Sequence, residues 1–307
     1  MRFGIALPNY GSLAAPATLV RLAQLAEERG ADSVWVSDHL VAPVAVTSIY
    51  PYDRRPGAKP GDMGVIEWFY EPLMTLGWLA GQTHRVRLGV SAYVLPYRNP
   101  VVTAKLVATL DVLSGGRLVV GVGTGWLREE FAALDVPFAG RGRRTEDYLA
   151  VCKALWSGGE ARFDGRTYHL PPVRTGPVPA QRPHPPLWIA GNSDVAIDRA
   201  ARLGDGWHAI DLTPAELAPL VARLRERLAT HGREPGAVTV SLRKGVLVGA
   251  ETGAGRRPLY GDREAIRGDL VAYREAGLDY LVANLRQARS PDDLTAALDD
   301  VAGVLAA

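Results

Sequence analysis

In the segment VWVSDHL, residues 34–40, the strand-like run Val34, Trp35, Val36 and Ser37 leads straight into Asp38 and His39 with no turn residue between them. A histidine can pass a proton near neutral pH, and a neighbouring carboxylate can tune or orient it. Adjacent side chains on a strand point to opposite faces, so the two need not bond each other. A polar pair that merely opens a loop is the plainer alternative, and its place at a strand end weighs against that.

Two glycine-rich segments offer a second kind of chemistry. GVGTG (121–125) precedes the helical stretch WLREEFAAL, and AGNS (190–193) precedes a second helical stretch. Glycine lets a ligand approach the backbone, and a helix N-terminus favours negative charge. The spacing G-x-G-x-G is not the dinucleotide fingerprint, and each segment alone could be a tight turn. Placed on one rim, the two make a phosphate clamp.

The other chemistry-bearing residues are blander. His169, His184 and His231 have no partner at metal-ligand spacing, so no metal site is expected. His84 lies at a helix-to-strand turn, on the wrong face for catalysis. Cys152, the one cysteine, falls in an apolar helical pattern with Trp156, while Trp35 and Trp188 fall in strand-like runs; all four read as core. RGRR (141–144) reads as a solvated helix entry.

The elements that carry these residues alternate. RFGIAL (2–7), DSVWVS (32–37), VRLGVSAYV (86–94), RLVVGVGTG (117–125), PLWIAGNS (186–193), GWHAID (206–211), AVTVSLRKGVLVG (237–249) and DYLVAN (279–284) read as strands, each followed by a helical stretch. Near-continuous apolar strands with helical crossovers imply a parallel sheet covered on both faces. Eight such units predict an α/β fold of the TIM-barrel, (β/α)8, type in a single domain over 1–307. Insertions follow strands 2, 4 and 7, at 41–70, 158–186 and 249–262. An open doubly wound sheet is the competing architecture.

In a barrel, chemistry gathers where strands end. The exits here carry Asn9 and Tyr10, Asp38 and His39, Ser91, Thr124 and Gly125, Gly191 with Asn192 and Ser193, His208 and Asp211, then Asn284 and Arg286. Composition narrows the partners: 47% hydrophobic and 22% charged residues are ordinary globular values, and a net charge of +2 gives no reason to expect nucleic acid or a membrane surface. One cysteine among 307 residues allows no internal disulfide, and the N-terminal apolar run is too short for a signal segment, so a cytoplasmic protein is expected.

The segments ADSVWVSDHL, RVRLGVSAYVLPYRNPVVTAKLVATLDVLSGGRLVVGVGTGW, PPLWIAGNS and ARLGDGWHAI resemble the bacterial luciferase-like flavin and deazaflavin oxidoreductases, above all the actinobacterial subgroup assigned to coenzyme F420. The resemblance spans nearly the whole chain in order. It implies a barrel with a flavin-type ring at its C-terminal mouth, Asp38 on the cofactor side and His39 facing substrate. It further implies a non-prolyl cis bond between Ser91 and Ala92 behind the ring, and a cofactor phosphate site at Thr124, Gly125, Gly191, Asn192 and Ser193.

One departure bears on substrate. The sugar-phosphate dehydrogenases of this group carry a glutamate directly after GVGTG, where this chain has Trp126, and their aromatic after SDHxxP is Val44 here. That argues against a sugar phosphate. Trp126 with Tyr50, Tyr52, Trp68, Phe69 and Tyr70 instead predicts an apolar or aromatic substrate, with Asn9, Tyr10 and His208 also lining the pocket.

The expected activity is hydride transfer between F420 and such a substrate, with His39 moving a proton or anchoring the substrate. The alternatives are an FMN-dependent monooxygenase using O2 and reduced flavin from a partner reductase, and a non-catalytic flavin-binding protein. The outer helices of such a barrel offer a surface for a homodimer.

Overall fold

The computed structural model describes residues 1–54, 57, 59, 68–249, 253, 255–286, 288 and 290–306. Parts of the insertions expected at 41–70 and 249–262 therefore lie outside the described residues. Eight strands form the barrel: β1 (Arg2–Ala6), β2 (Ser33–Val36), β3 (Arg87–Val94), β4 (Leu118–Gly123), β7 (Leu187–Ala190), β8 (Gly206–Ile210), β9 (Thr239–Val248) and β11 (Tyr280–Leu285). Each pairs in parallel with its neighbours, β11 with β1 and β8 with β9, which closes the ring. The open doubly wound alternative is thereby excluded.

Helices α1 (Pro16–Glu28), α2 (Pro72–Ala80), α3 (Pro100–Leu113), α5 (Arg141–Trp156), α6 (Asp194–Leu203), α7 (Pro214–Thr230), α8 (Arg263–Glu275) and α9 (Pro291–Leu305) form the outer layer. Their starts follow familiar physics: five of the eight (α1, α2, α3, α7 and α9) carry proline in the first turn, where no N–H is missed. A short α4 (Arg128–Ala133) sits between β4 and α5. The insertion at 158–186 folds in part as an antiparallel hairpin, β5 (Glu160–Asp164) with β6 (His169–Arg174), which the sequence pattern did not reveal. The insertion after β9 returns through the two-residue strand β10 (Tyr260–Gly261). No described helix is long and apolar enough to cross a membrane.

The main core lies between sheet and helices, and it includes Cys152 and Trp156. The barrel axis has its own cluster, with Trp35, Trp188, Val119, Tyr280, Val282 and Ala6. The two indoles meet at 5.1 Å between ring centroids. They fit because glycine stands beside them. A methyl group at Gly89 or Gly4 would overlap Trp35, and one at Gly206 would overlap Trp188. Glycine is needed here for space, not for an unusual backbone angle.

Gly89→Ala should therefore cost about 1–3 kcal/mol through overpacking. Gly236→Ala, at a position with open space around it, should be close to neutral. Urea unfolding of the two variants checks the contrast.

Candidate active site

The polar pair that ends β2 separates cleanly. His39 turns toward the mouth with 23% of its side chain exposed, and its Nδ1 lies 2.7 Å from Glu130 Oε2. Glu130 stands on α4 with no side-chain exposure at all. It gathers four contacts: His39 Nδ1, the backbone N–H groups of Leu40 (2.6 Å) and Val41 (3.3 Å), and the Tyr97 hydroxyl (2.9 Å). Burial alone would raise the pKa of Glu130, but the His39 contact, the Leu40 N–H and the Tyr97 hydroxyl outweigh it and hold the pKa below the ordinary value. Glu130 is thus an ionised acceptor at neutral pH. His39 Nδ1 must carry a hydrogen to meet it, which leaves Nε2 as the acceptor nitrogen of the neutral ring.

Glu130 was not apparent from motifs, yet the sequence holds a signal. Leu127, Phe131 and Leu134 mark the apolar face of WLREEFAAL, and an acid at 130 falls on that same face. A carboxylate on an apolar face needs buried donors.

Asp38 goes the other way and corrects the expectation of a cofactor contact. Its side chain is wholly enclosed; both oxygens are held at 2.8 Å by the Arg98 guanidinium, and Oδ2 also accepts from the Val94 N–H at 2.8 Å. The pair ties the exit of β2 to the end of β3 and leaves no open carboxylate face. Asn9 is likewise no lining residue. Its buried amide pairs with Ser37 N and O at 2.8 Å each, as a strand neighbour would, and donates to Tyr70 O at 3.0 Å.

His208 is the third correction. It has no exposed surface and lies inside the barrel against Trp35, at 5.4 Å and nearly parallel. Burial, reinforced by the charge of Arg243, pushes its pKa down to about 3, so the imidazole is neutral. Its tautomer follows from its neighbours. Ser241 Oγ donates to Trp207 O at 3.1 Å, so it must accept from His208 Nδ1 at 2.7 Å. Nε2 is then the acceptor for Ser91 Oγ, also at 2.7 Å. Ser91 is buried, and its hydroxyl points into the barrel instead of at a ligand. The peptide bond Ser91–Ala92 is cis and the β3–β4 register breaks between Val90 and Tyr93, as the resemblance implied.

Above this floor, aromatic rings form a linked collar. Tyr10 meets Phe69 at 5.1 Å, Phe69 meets His39 at 4.8 Å, and His39 meets Trp126 at 6.3 Å. Trp126 meets Tyr50 at 5.1 Å, and Tyr50 meets Tyr52 at 5.4 Å. Tyr10, Trp126 and the insertion aromatics thus come together around His39. Trp68 is more exposed and packs on Tyr70 at 5.1 Å, beside the collar.

The exits of β4 and β7 adjoin, as those strands pair. Gly125 (φ +79°) and Gly191 (φ +127°) both hold backbone angles that favour glycine. Thr124 is half-buried at the same exit. Ser193 caps α6 by accepting from Ala196 N, and Asn192 is fastened to Ile210 N and O by its amide at 2.9 and 2.8 Å. The Asn192 amide is therefore a strap between β7 and β8, not a free ligand donor. Arg141 is not simply solvated: its Nε donates to Gly125 O at 3.0 Å. Arg141 and Arg128 both stack on the Phe138 ring, at 3.9 and 4.3 Å, and neither makes an ion pair with a described carboxylate. Two uncompensated cations beside a glycine-rich exit are suited to an anion.

The insertion is held by the neighbour of Glu130. Glu129 accepts from Thr47 N and Oγ1 at 2.7 and 2.6 Å, and from Ser48 N and Oγ at 3.0 and 2.7 Å. At the far side, Asp211 pairs with Lys244 at 2.8 Å and with Arg54 of the insertion at 3.6 Å. Among the described residues no cluster of three or more metal-ligating side chains occurs.

Comparison with known proteins agrees with this architecture. The family model of the luciferase-like monooxygenases matches residues 1–280, and the chain belongs to that family. An uncharacterised protein of Mycobacterium tuberculosis is 32% identical over 216 residues, covering 70% of this chain and 72% of its own length. An F420-dependent glucose-6-phosphate dehydrogenase of Kineococcus radiotolerans is 33% identical over 233 residues, 73% of this chain and 62% of the dehydrogenase. The monooxygenase RslO1 of Streptomyces bottropensis shares the fold with a TM-score of 0.81 at 21% identity, over 100% of this chain and 99% of that one.

The Glu129 latch has a pH signature. Burial would raise its pKa, but the Thr47 and Ser48 donors bring it down to about 2 from an ordinary 4.5. A carboxyl depressed in the folded state contributes stability that is present above its unfolded pKa and lost as pH falls through the folded one. The wild type should thus melt above Glu129→Gln at pH 7, with the gap closing between about pH 4.5 and pH 2. Thermal melts of both proteins across that range check it.

Proposed function

We propose that this luciferase-like protein transfers hydride between a deazaflavin of the coenzyme F420 type and a small apolar or aromatic organic substrate. The observation that carries the reading is the His39–Glu130 pair beneath the aromatic collar. It is a proton-handling nitrogen, fixed in one tautomer, facing a pocket walled by rings.

The residues fit an anionic cofactor. Arg128 and Arg141 supply uncompensated charge at the β4 exit, and Gly125 and Gly191 open the backbone there. A bound deazaflavin supplies a ring carbon that gives or accepts hydride. The chain supplies the rest. Glu130 holds His39 by Nδ1, so Nε2 gives or takes the proton that accompanies hydride movement. The collar excludes water and stacks against an apolar substrate. Trp126, where the sugar-phosphate enzymes carry a glutamate, turns that wall from acidic to apolar.

F420 is favoured by the F420-dependent dehydrogenase relative at 33% identity. A second reading, FMN with O2 and a partner reductase, draws on the whole-length likeness to the monooxygenase RslO1. Both cofactors are anionic, so the two arginines do not discriminate between them.

Titration of the purified chain with F420 and with FMN separates the readings; micromolar FMN binding with no F420 binding overturns the first. His39→Ala should keep cofactor affinity while turnover falls roughly 10²–10⁴-fold. Glu130→Gln should lower turnover by a smaller factor and shift the pH–rate profile. An unchanged rate in the His39 variant removes that residue from the mechanism.

A further inference from the structure

One cation of the mouth, Arg243, has no counter-ion among the described residues. Arg243 projects from β9 to the level of the strand exits, and its nitrogens reach only neutral acceptors. Nε donates to Asn284 Oδ1 at 2.9 Å, Nη2 to Ser37 Oγ at 3.0 Å, and Nη1 to the Ser91 carbonyl and, at 3.3 Å, to Ser91 Oγ. These contacts use four of the five N–H donors that a guanidinium carries, leaving one on Nη2. The titratable groups that act on it are two neutral tyrosines, Tyr10 and Tyr50, and a second cation, Arg286, with no carboxylate among them.

Most of the other enclosed cations among the described residues are compensated, Arg141 at the β4 exit being an exception. Arg98 has Asp38 and Glu71, Arg199 has Glu146, and Lys244 has Asp211. Arg117 and Arg233 make no ion pair with a described carboxylate, but they cap the C-terminal carbonyls of α2 and α6, where the helix dipole is negative, and Arg117 also feels the charge of Glu27. Among the described residues Arg243 has neither kind of partner. A guanidinium does not shed its proton, so the charge stays and seeks an anion.

We propose that Arg243 is the receptor for a carboxylate on the substrate, so that the mouth takes an aromatic or apolar acid. The free Nη2–H makes a charge-assisted bond to the carboxylate. Tyr50, whose pKa burial raises to about 12, keeps its hydroxyl hydrogen and is a second donor near the same place. The collar from Tyr10 to Trp126 takes the apolar body of the acid. This assignment rests on the reading of the mouth as a substrate site, but not on which cofactor is used. A cofactor ring that becomes anionic on reduction offers the same oxyanion chemistry, and the test separates the two.

The probes are 2-naphthoate and 2-naphthamide, alike in shape and different in charge, titrated calorimetrically into the full chain, free and loaded with oxidised cofactor. The loaded wild type should bind the naphthoate about tenfold or more tightly than the amide, and Arg243→Gln should shrink that preference to about threefold or less. Arg243→Lys, which keeps the charge and loses the fork, should retain part of the preference. It carries the test should the glutamine variant not fold. Equal binding of both probes to the wild type overturns the assignment. So does loss of the naphthoate on loading, with the Arg243 variants weakening the cofactor instead, which would give the guanidinium to the cofactor ring. Cofactor binding in the same titrations reports separately on the proposed function. A chain that binds neither cofactor yet prefers the naphthoate through Arg243 keeps this inference and loses that one.

Discussion

Trp35, His208 and Trp188 share the axis of the barrel, and the mouth is built on that column. A closed sheet of eight strands leaves a space that side chains must fill. Here two indoles fill it, admitted by the glycines beside them, with an uncharged imidazole against both. The imidazole fixes a direction through the column, because Ser241 must accept from it and Ser91 must donate to it. Ser91, whose bond to Ala92 within β3 is cis, is thereby held from below by His208 and from the side by Arg243. Burial keeps the imidazole neutral through the physiological range, so this foundation does not respond to the proton transfer proposed for His39.

The site proper joins a stiff half to an added half. The stiff half is strand exits locked by buried pairs: Asp38 with Arg98, Asn9 with Ser37, Asn192 with Ile210. The added half is the segment after β2, which brings Tyr50, Tyr52 and Phe69. Helix α4 joins them, for its two adjacent acids look in different directions. Glu130 faces inward to His39 and the start of the insertion, while Glu129 faces the insertion further along. The proposed proton-handling histidine and the proposed substrate wall are therefore both held by neighbouring residues of one six-residue helix.

Much of this was legible in the sequence. Alternation of apolar strands with amphipathic helices gave the barrel, because buried parallel strands and crossover helices leave different periodicities. Strand ends then located the rim, and His39, Tyr10 and Trp126 are where that logic puts them. Asn9 and His208 are polar residues at strand exits, where polarity suggests exposure, and Asp38 is placed on the cofactor side by the resemblance. The structure instead uses each one inward, to satisfy a neighbouring strand. Whether a side chain at an exit turns to the mouth or to the next strand depends on partners distant in sequence: Arg98 lies sixty residues from Asp38, and Ser241 thirty-three from His208. Arg243 and Lys244 carried a usable sign, as two basic residues inside an otherwise apolar strand. The hairpin of β5 and β6 carried little, since its strands are short, polar and mostly exposed.

The grip of α4 on the insertion has a consequence for how such a pocket changes over generations. Of the groups that Glu129 and Glu130 hold in residues 40–48, four are main-chain N–H groups, those of Leu40, Val41, Thr47 and Ser48. A main-chain donor is present whatever side chain the residue carries, proline excepted. The latch thus reads the path of the chain and is nearly blind to its spelling. Side chains at those four positions can therefore change without loss of these main-chain contacts, while the two acids keep their hold on the loop and on His39.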